Sequence, residues 1–398
     1  MTADCRAPDV KLVHLDLPPI LSPVEIGRFD RSVLPQMLHE ASLDPDPANM
    51  FMRLSLLFHS LGSIDLGHEM HQRALEHRRV YRYRCALTPK VRLMAIMGPQ
   101  GGLDNAPLEY LLENSDIQLD LVFLDDDGCL PQAIPDHDIA IVGLGESYKN
   151  RGQFERLISS LRSWPRPIIN QPAFVLNCSR DKLYDELKGV PQLVLPQTRR
   201  VKRDVLSVDI FPKIIRPVDT HGGEGLAKID SEGELQIYLE SSDAAEFYVS
   251  DFVDFRSGDG LYRKLRIALI DGRPYICHLA ITDHWIVHYI PAGMDLSAAK
   301  RAEEKGMMET FEAVFVKRHH KTLQSIHEKL GLDYVILDCA VMRDGALLLF
   351  EADTRGWIHG VDPVDIFPYK PAIMQKAFDG FRQMLLSRMS HEGAAHTR

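Results

Sequence analysis

Three acidic residues in the last third of the chain have the spacing of a metal site. In YVILDCAVMRDGALLLFEAD, Asp338 sits inside an apolar run, while Glu351 and Asp353 lie two residues apart beyond an Asp344-Gly345 pair. Asp-Gly between two apolar runs predicts a β-hairpin. Counting outward from the turn sets position 338 opposite position 351. Side chains alternate along a strand, so Glu351 and Asp353 share a face, and all three carboxylates are expected at one depth. Clustered carboxylates repel one another and lose hydration. A hard divalent cation compensates both effects, and Mg²⁺ held this way keeps positions open for phosphate oxygens, with Mn²⁺ as the alternative. The competing reading leaves one or more of the three in solvent on an edge strand. The apolar neighbours Val335, Ile336, Leu337, Leu348, Leu349 and Phe350 oppose it.

A second set of residues suits phosphate. KIIRPVDTHGGEGL puts Arg216 at the end of an apolar strand, ahead of a loop carrying Gly222, Gly223 and Gly225. Glycines let backbone N–H groups approach phosphate closely, and arginine grips it through a planar fork. Hairpin turns carry glycines too, so the loop alone is weak. In SRDKLYDEL, Ser179 is an N-cap candidate and Asp181 falls in the first helical turn. Lys182 lies near the positive end of that helix, a placement that an anion nearby would explain. The alternative for Lys182 is a solvated surface lysine.

A third set suits a substrate pocket. CHLAITDHWIVHY supplies His278, Asp283, His284, Trp285 and His288, and RGW adds Arg355, Gly356 and Trp357 just after the acidic hairpin. Polar groups interleaved with aromatics fit a specific pocket. Arg355 could hold a carboxylate, Gly356 could offer an N–H to an oxyanion, and His284 is the preferred candidate for substrate contact or amine deprotonation. The alternative for each histidine is a packed side chain. His59, His68, His71 and His77 form a further group, with His68 and His71 on one helix face. No acidic or thiol ligand is spaced to complete a metal site there, so a packed or solvated face is the preferred reading.

The elements that must position these groups follow from periodicity. Residues 1–88 read as a small helical N-terminal domain, helical from Pro23 to about Arg84, with Gly62 separating two helices. LLFHSLGSIDLGHEMHQRAL is tetratricopeptide-like at most, because no second unit follows at a 34-residue period. Strands are predicted at Val91–Met97, 119–124, Ile139–Val142 and Ile168–Ile169, with helices over 105–113 and 153–162. Such alternation predicts a doubly wound α/β domain over 89–172. MGPQGGLDN there is not GxGxxG, so no dinucleotide site is expected. Residues 173–390 alternate antiparallel hairpins with helices over 309–330 and 372–389, which predicts α+β structure. Residues 391–398 are expected to be a disordered tail. The fold class is therefore mixed α/β and α+β.

Composition narrows the function. The chain has 398 residues, 45% hydrophobic and 26% charged, as in soluble globular proteins of two or three domains. A formal charge of −10 opposes a general nucleic-acid binder. Six cysteines without a CxxC pair oppose a zinc or disulfide framework. No signal-peptide pattern and no apolar run near 18 residues are evident, so no membrane association and a cytoplasmic location are expected.

The ordered set of Asp181-Lys182, Arg216 to Gly225, FYVSDFVDF at 247–255, Arg266, and Asp338 with Glu351 and Asp353 resembles the ATP-grasp superfamily over about residues 90–385. That superfamily includes D-alanine–D-alanine ligase and the ribosomal-protein glutamate ligases. The resemblance implies a pre-ATP-grasp domain over 89–172, then an ATP-grasp fold of two α+β subdomains with a lid at about 180–250. Lys182 and Arg216 would hold the ATP α/β-phosphates, and His221, Gly222, Gly223 and Gly225 would form the flap. Ser250, Asp251 and the Val253 backbone would meet adenine, Arg266 an acyl phosphate, and Asp338, Glu351 and Asp353 Mg²⁺. The family usually has Lys at the place of Arg216 and Asn at that of Asp353; the second change alters the expected metal geometry.

The implied activity is that of a biosynthetic ligase. A carboxylate attacks the ATP γ-phosphate to give an acyl phosphate and ADP, and an amine then displaces phosphate to form an amide or peptide bond. Small-molecule or peptide acids and amines are the expected substrates. A homodimer, and a protein partner on the N-terminal helices, are compatible with the resemblance. Two other readings are a kinase-like phosphotransferase on the same fold and an ATP-regulated adaptor protein.

Overall fold

The computed structural model describes residues 13–15, 29–83, 88–112, 115–220, 222–289 and 291–395. After β1 (Val13–Leu15) come helices α1 (Leu34–Leu43), α2 (Ala48–Ser60) and α3 (Ile64–His77). Phe51, Leu54 and Phe58 recur on one face of α2 and are buried, as the period of 3.6 requires. Gly62 takes a left-handed φ of 76° in the turn before α3. The helical reading as far as Arg84 is corrected at its end. Val80–Tyr83 is strand β2, pairing in parallel with β1 (Val13–Leu15) and antiparallel with β4 (Ile117–Phe123). The aromatic and β-branched VYRY run favours a strand, and Arg82 grips Asp120 across the pair at 2.7 Å. Side chains of these helices join the same core as the sheet.

The central sheet has the order β1-β2-β4-β3-β5-β6, where β3 is Val91–Met97, β5 is Ile139–Val142 and β6 is Ile168–Ile169. β3 pairs in parallel with β4 on one side and β5 on the other, the expected doubly wound pattern. The predicted helix over 105–113 shrinks to α4 (Leu108–Leu111), and α5 is Arg151–Leu161. Connections leaving β3 and β5 run to opposite sides, which opens a crevice at the carboxyl ends of these strands.

Two further sheets follow α6 (Pro172–Val175) and α7 (Arg180–Leu187). The smaller contains β8 (Thr198–Lys202), β9 (Lys213–Pro217), β10 (Ala227–Ile229) and β11 (Glu246–Asp251), in the order β10-β9-β11-β8. With α8 (Glu232–Glu240) it builds its own core around Ile215, Leu235 and Phe247. The larger has the order β13-β12-β14-β15-β7, with β7 Leu193–Val194, β12 Tyr262–Ile270, β13 Arg273–Thr282, β14 Tyr334–Val341 and β15 Leu347–Asp353. Two Asp-Gly hairpins form in it, the one predicted at Asp344-Gly345 among them. Asp271 and Gly272 turn the first with φ of 49° and 75°, and Gly345 turns the second with φ of 87°.

Helices α9 (Ala298–Thr310) and α10 (Lys317–Leu330) are joined by a π-helical segment, Glu312–Val316. Gly331 caps α10 with φ of 66°. α11 spans Lys370–Ala395, so 391–395 continue a helix where a disordered tail is expected from sequence. Among the described residues no helix is long and apolar enough to cross a membrane, and Cys129, Cys178, Cys277 and Cys339 are free thiols.

A buried polar network ties α9 and α11 to the strand segment that ends at the site. Glu304, fully buried, accepts from the Leu279 N–H and the Tyr289 hydroxyl at 3.1 Å each, and from Tyr369 at 2.5 Å. Lys370 lies 3.5 Å away and also bonds Asp362 at 2.9 Å. Removing one member of a buried charge pair strands the other. Glu304→Ala is therefore expected to destabilise the protein by about 3 kcal/mol, read from the denaturant midpoint, whereas an unchanged midpoint would mean the network contributes nothing.

Candidate active site

The two later sheets face one another across a cavity. Its polar end is built by alternation: Lys264 and Arg266, two apart on β12, share a face, and cross-strand pairing sets Arg266 beside Asp338 and Asp338 beside Glu351. The pairing of 338 with 351 is the one counted from the turn. Arg180 enters from α7, Arg216 from β9, and Gly222 and Gly223 close one side with φ of 59° and 83°. The other end is apolar, lined by Leu195, Ile214, Phe252, Val253 and Phe350. Ser250 and Asp251 border it, the latter paired with Lys213.

Charges at the polar end are compensated pairwise. Asp338, only 2% exposed, accepts from Arg266 Nε at 2.8 Å and Nη2 at 3.0 Å, and from Lys264 Nζ at 3.0 Å. Desolvation would raise its pKa, but the two cations outweigh it and hold the carboxyl below its ordinary range. Glu351 accepts from Arg180. Arg216 donates to the Thr220 carbonyl and hydroxyl; burial, then the nearby Arg180, lower its pKa to about 10.

The three carboxylates expected to hold a metal do not stand together in this arrangement. Asp353 pairs with Ile336, two pairs beyond Glu351, and its Oδ1 accepts from the Arg355 N–H at 2.9 Å and Nε at 3.0 Å. Among the described residues no three His, Cys, Asp or Glu side chains stand close enough to hold a metal ion. Each carboxylate is compensated here by a guanidinium or ammonium of its own.

Other sequence candidates divide in two. Arg216, Gly222, Gly223, Ser250, Asp251, Val253, Arg266, Asp338 and Glu351 line the cavity; Lys182, Gly225, Asp353, Arg355, Gly356 and His284 do not. His221 lies outside the described residues. Lys182 is exposed, as the surface reading has it. Two positions along a helix turn through about 200°, so Arg180 faces the cavity and Lys182 faces away. Gly225 packs under Pro217, where a Cβ would come within 2.6 Å of the ring, and Gly356 against Ile336, also at 2.6 Å.

The segment after β13 is not helical, so His284 and His288 share no helix face. His284 is exposed in a separate depression with Lys228, Asp230 and Arg256. His288 lines the main cavity and touches the glycine loop: a Cβ on Gly223 would lie 2.5 Å from its Nε2. His278 stacks on Tyr289 at 4.5 Å and is held neutral by desolvation and by Arg266. Arg180 and Lys264 are cations of the cavity wall that sequence reasoning missed. Lys264 was legible, two residues before Arg266 on one strand.

Arg355 lies instead in the crevice at the ends of β3 and β5. It packs so closely on Gly145 that a Cβ there would fall 1.7 Å from its Cδ, and Asp104 stands 3.9 Å from Nη1. Glu146 shares this crevice, and desolvation pushes its carboxyl up to about 7 despite Arg151 and Arg355.

No protein-family model matches the chain, and no curated protein matches it in sequence. Solved structures similar to it include the D-alanine–D-alanine ligase from Bacillus anthracis complexed with ATP, at 15% identity and TM-score 0.47, covering 76% of this chain and 97% of that one. The VanG D-Ala:D-Ser ligase from Enterococcus faecalis gives 13%, 0.46, 75% and 100%. An ATP-grasp RimK domain protein from Sphaerobacter thermophilus gives 14%, 0.44, 74% and 99%. Likeness of this degree says nothing of substrate.

Protonated Glu146 is the form the fold favours. Stability tied to it is full below about 4.5 and is lost as pH rises through about 7. Glu146→Gln, neutral throughout, should gain on the wild type between pH 5 and pH 8, by on the order of 3 kcal/mol. A pH-independent difference in unfolding free energy would show that Glu146 titrates normally.

Proposed function

We propose that the protein is an ATP-dependent ligase that joins a carboxylate to an amine through an acyl phosphate, releasing ADP and phosphate. The observation that carries this reading is the two-ended cavity. Four cations (Arg180, Arg216, Lys264 and Arg266) and two glycine N–H groups gather at one end, and an apolar slot lies at the other. A triphosphate attached to a flat base matches both ends; a plain anion would leave the slot empty, and a hydrocarbon would leave unmet the two positive charges that Asp338 and Glu351 do not balance.

On this reading Arg180, Arg216 and the 222–223 backbone hold the phosphates, and Ser250 to Val253 lie beside the base. Arg266 and Lys264, fixed in direction by Asp338, face the charge that builds up as the phosphoryl group moves to the substrate carboxylate. His288 and Trp285 wall the cavity against water, which would otherwise hydrolyse an acyl phosphate. Magnesium would enter as part of the ATP complex, with Asp338 and Glu351 the carboxylates of the polar wall that it would meet.

The direct test is a screen of paired acids and amines for ATP-dependent phosphate release, with mass spectrometry of the products. ADP formation that needs both partners supports the ligase. ADP formed with an acid alone, together with a stable phosphorylated product, would instead favour phosphotransfer. The geometry also separates two neighbouring cations. Arg180→Ala is expected to lower kcat/KM for ATP by about tenfold or more, the scale of a charged hydrogen bond, and Lys182→Ala to change it by less than about twofold. Equal effects would reject the assignment of Arg180.

A further inference from the structure

Three histidines stand where helices α2 and α3 meet the loop that follows β3. His59 lies near the end of α2, and His68 and His71 lie three apart on α3. The rings of His59 and His68 are 5.0 Å apart. His71, 3% exposed, meets the Phe123 ring edge-on at 5.1 Å. Glycine stands wherever these rings need room. A Cβ on Gly102 would fall 2.6 Å from His59 Cδ2, and one on Gly101 2.8 Å from His71 Cγ. On α3, a Cβ on Gly67 would fall 2.5 Å from His59 Nδ1. Gln72 adds a neutral bond across the same joint, donating to the Pro99 carbonyl at 3.0 Å.

Hydrogen bonding settles the charge state. His59 Nδ1 lies 2.8 Å from the Ser55 carbonyl, which only accepts, so Nδ1 carries the proton and Nε2 the lone pair. That Nε2 is enclosed and unbonded, and so is Nε2 of His71. A second proton on either ring would bury a cation with no acceptor at that atom. Desolvation, then the rings of His59 and His68, lower the His71 pKa to about 3. Desolvation also lowers that of His59, with His68 adding to it. Asp104, in the Gly102–Asp104 turn, is the acidic group facing His59 and His68, and it opposes this without overcoming it. Burial pushes the Asp104 carboxyl up in turn, against Arg355, His68 and Lys149. Glu69 and Arg73 of α3 pair with one another at 2.6 Å on the exposed side, and Phe123 brings no charge.

Both rings are neutral while packed and return to the ordinary value of about 6.5 once exposed. The stability tied to them is therefore full above that value and is lost as pH falls below it. We infer that His59, His68 and His71 form an acid-sensitive clasp, which holds α2 and α3 to the loop at 99–104 at neutral pH and releases it toward pH 5. The loop passes such a release onward. The Asp104 carbonyl accepts from the Gly145 N–H at 3.0 Å, and the segment that follows Gly145 bonds Asp219 of the smaller sheet through Tyr148 and Lys149. The clasp does not depend on the ligase reading.

The test is hydrogen exchange of the full-length protein at pH 7 and pH 5, corrected for the intrinsic effect of pH on exchange. On His71 alone, the opening constant of residues 48–77 and 98–105 is expected to rise about twentyfold over that interval. The hairpin at 334–353 should keep its protection, and a return to pH 7 should restore the rest. The double variant His59→Gln/His71→Gln, neutral at both positions, should show a rise of less than about threefold. Unchanged protection at 48–77 and 98–105, an equal loss in the hairpin, or a double variant as acid-sensitive as wild type would each overturn the inference. Wild-type exchange decides the first two by itself, whether or not the double variant folds.

Discussion

A carboxylate almost sealed from water stays ionised only if cations surround it, and Asp338 is in that position. Arg266 and Lys264, on the neighbouring strand, meet its two oxygens. The bond works in both directions. It keeps Asp338 charged, and it fixes the direction of two long side chains that would otherwise sample many rotamers at the floor of the cavity. Cross-strand register sets this up: one residue of slip in β12 or β14 would turn Arg266 and Asp338 to opposite faces. Cavity, cation cluster and glycine loop are arranged around that pair.

Two bodies must come together for the cavity to exist. The smaller sheet carries Arg216 and the glycine loop on a core of its own, and the larger carries the acidic hairpin. The loop after β5 reaches the smaller sheet, where Asp219 accepts from the Tyr148 and Lys149 N–H groups at 2.7 and 3.1 Å. Arg200 stacks on Tyr148, 3.3 Å from the ring centre. The same loop carries Glu146, so the crevice and the wall of the cavity are fastened by one short segment.

The legible parts of this molecule are those set by local rules. Asp-Gly turns and apolar runs identify both hairpins and the 338–351 register, and alternation alone would have added Lys264. Helix phase was harder: Asp181-Lys182 draws attention to Lys182, yet the residue facing the cavity is Arg180, on the opposite side of the turn. The crevice was not legible, because Glu146 and Arg151 approach Asp181 and Arg355 only after sheets distant in sequence have packed. The partners of the three carboxylates were not legible either. Spacing shows which carboxylates share a face, but not that Arg180, Lys264, Arg266 and Arg355 reach them first.

Whether the cation cluster is a triphosphate site is decided most directly by a crystal structure of the protein with AMP-PNP and Mg²⁺. The phosphates are predicted to lie among Arg180, Arg216 and the Gly222–Gly223 backbone, with Arg180 turned from Glu351 toward phosphate and the base beside Val253. Nucleotide density elsewhere, or crystals grown at saturating nucleotide with Arg180 still on Glu351 and the cavity holding only water, would contradict it.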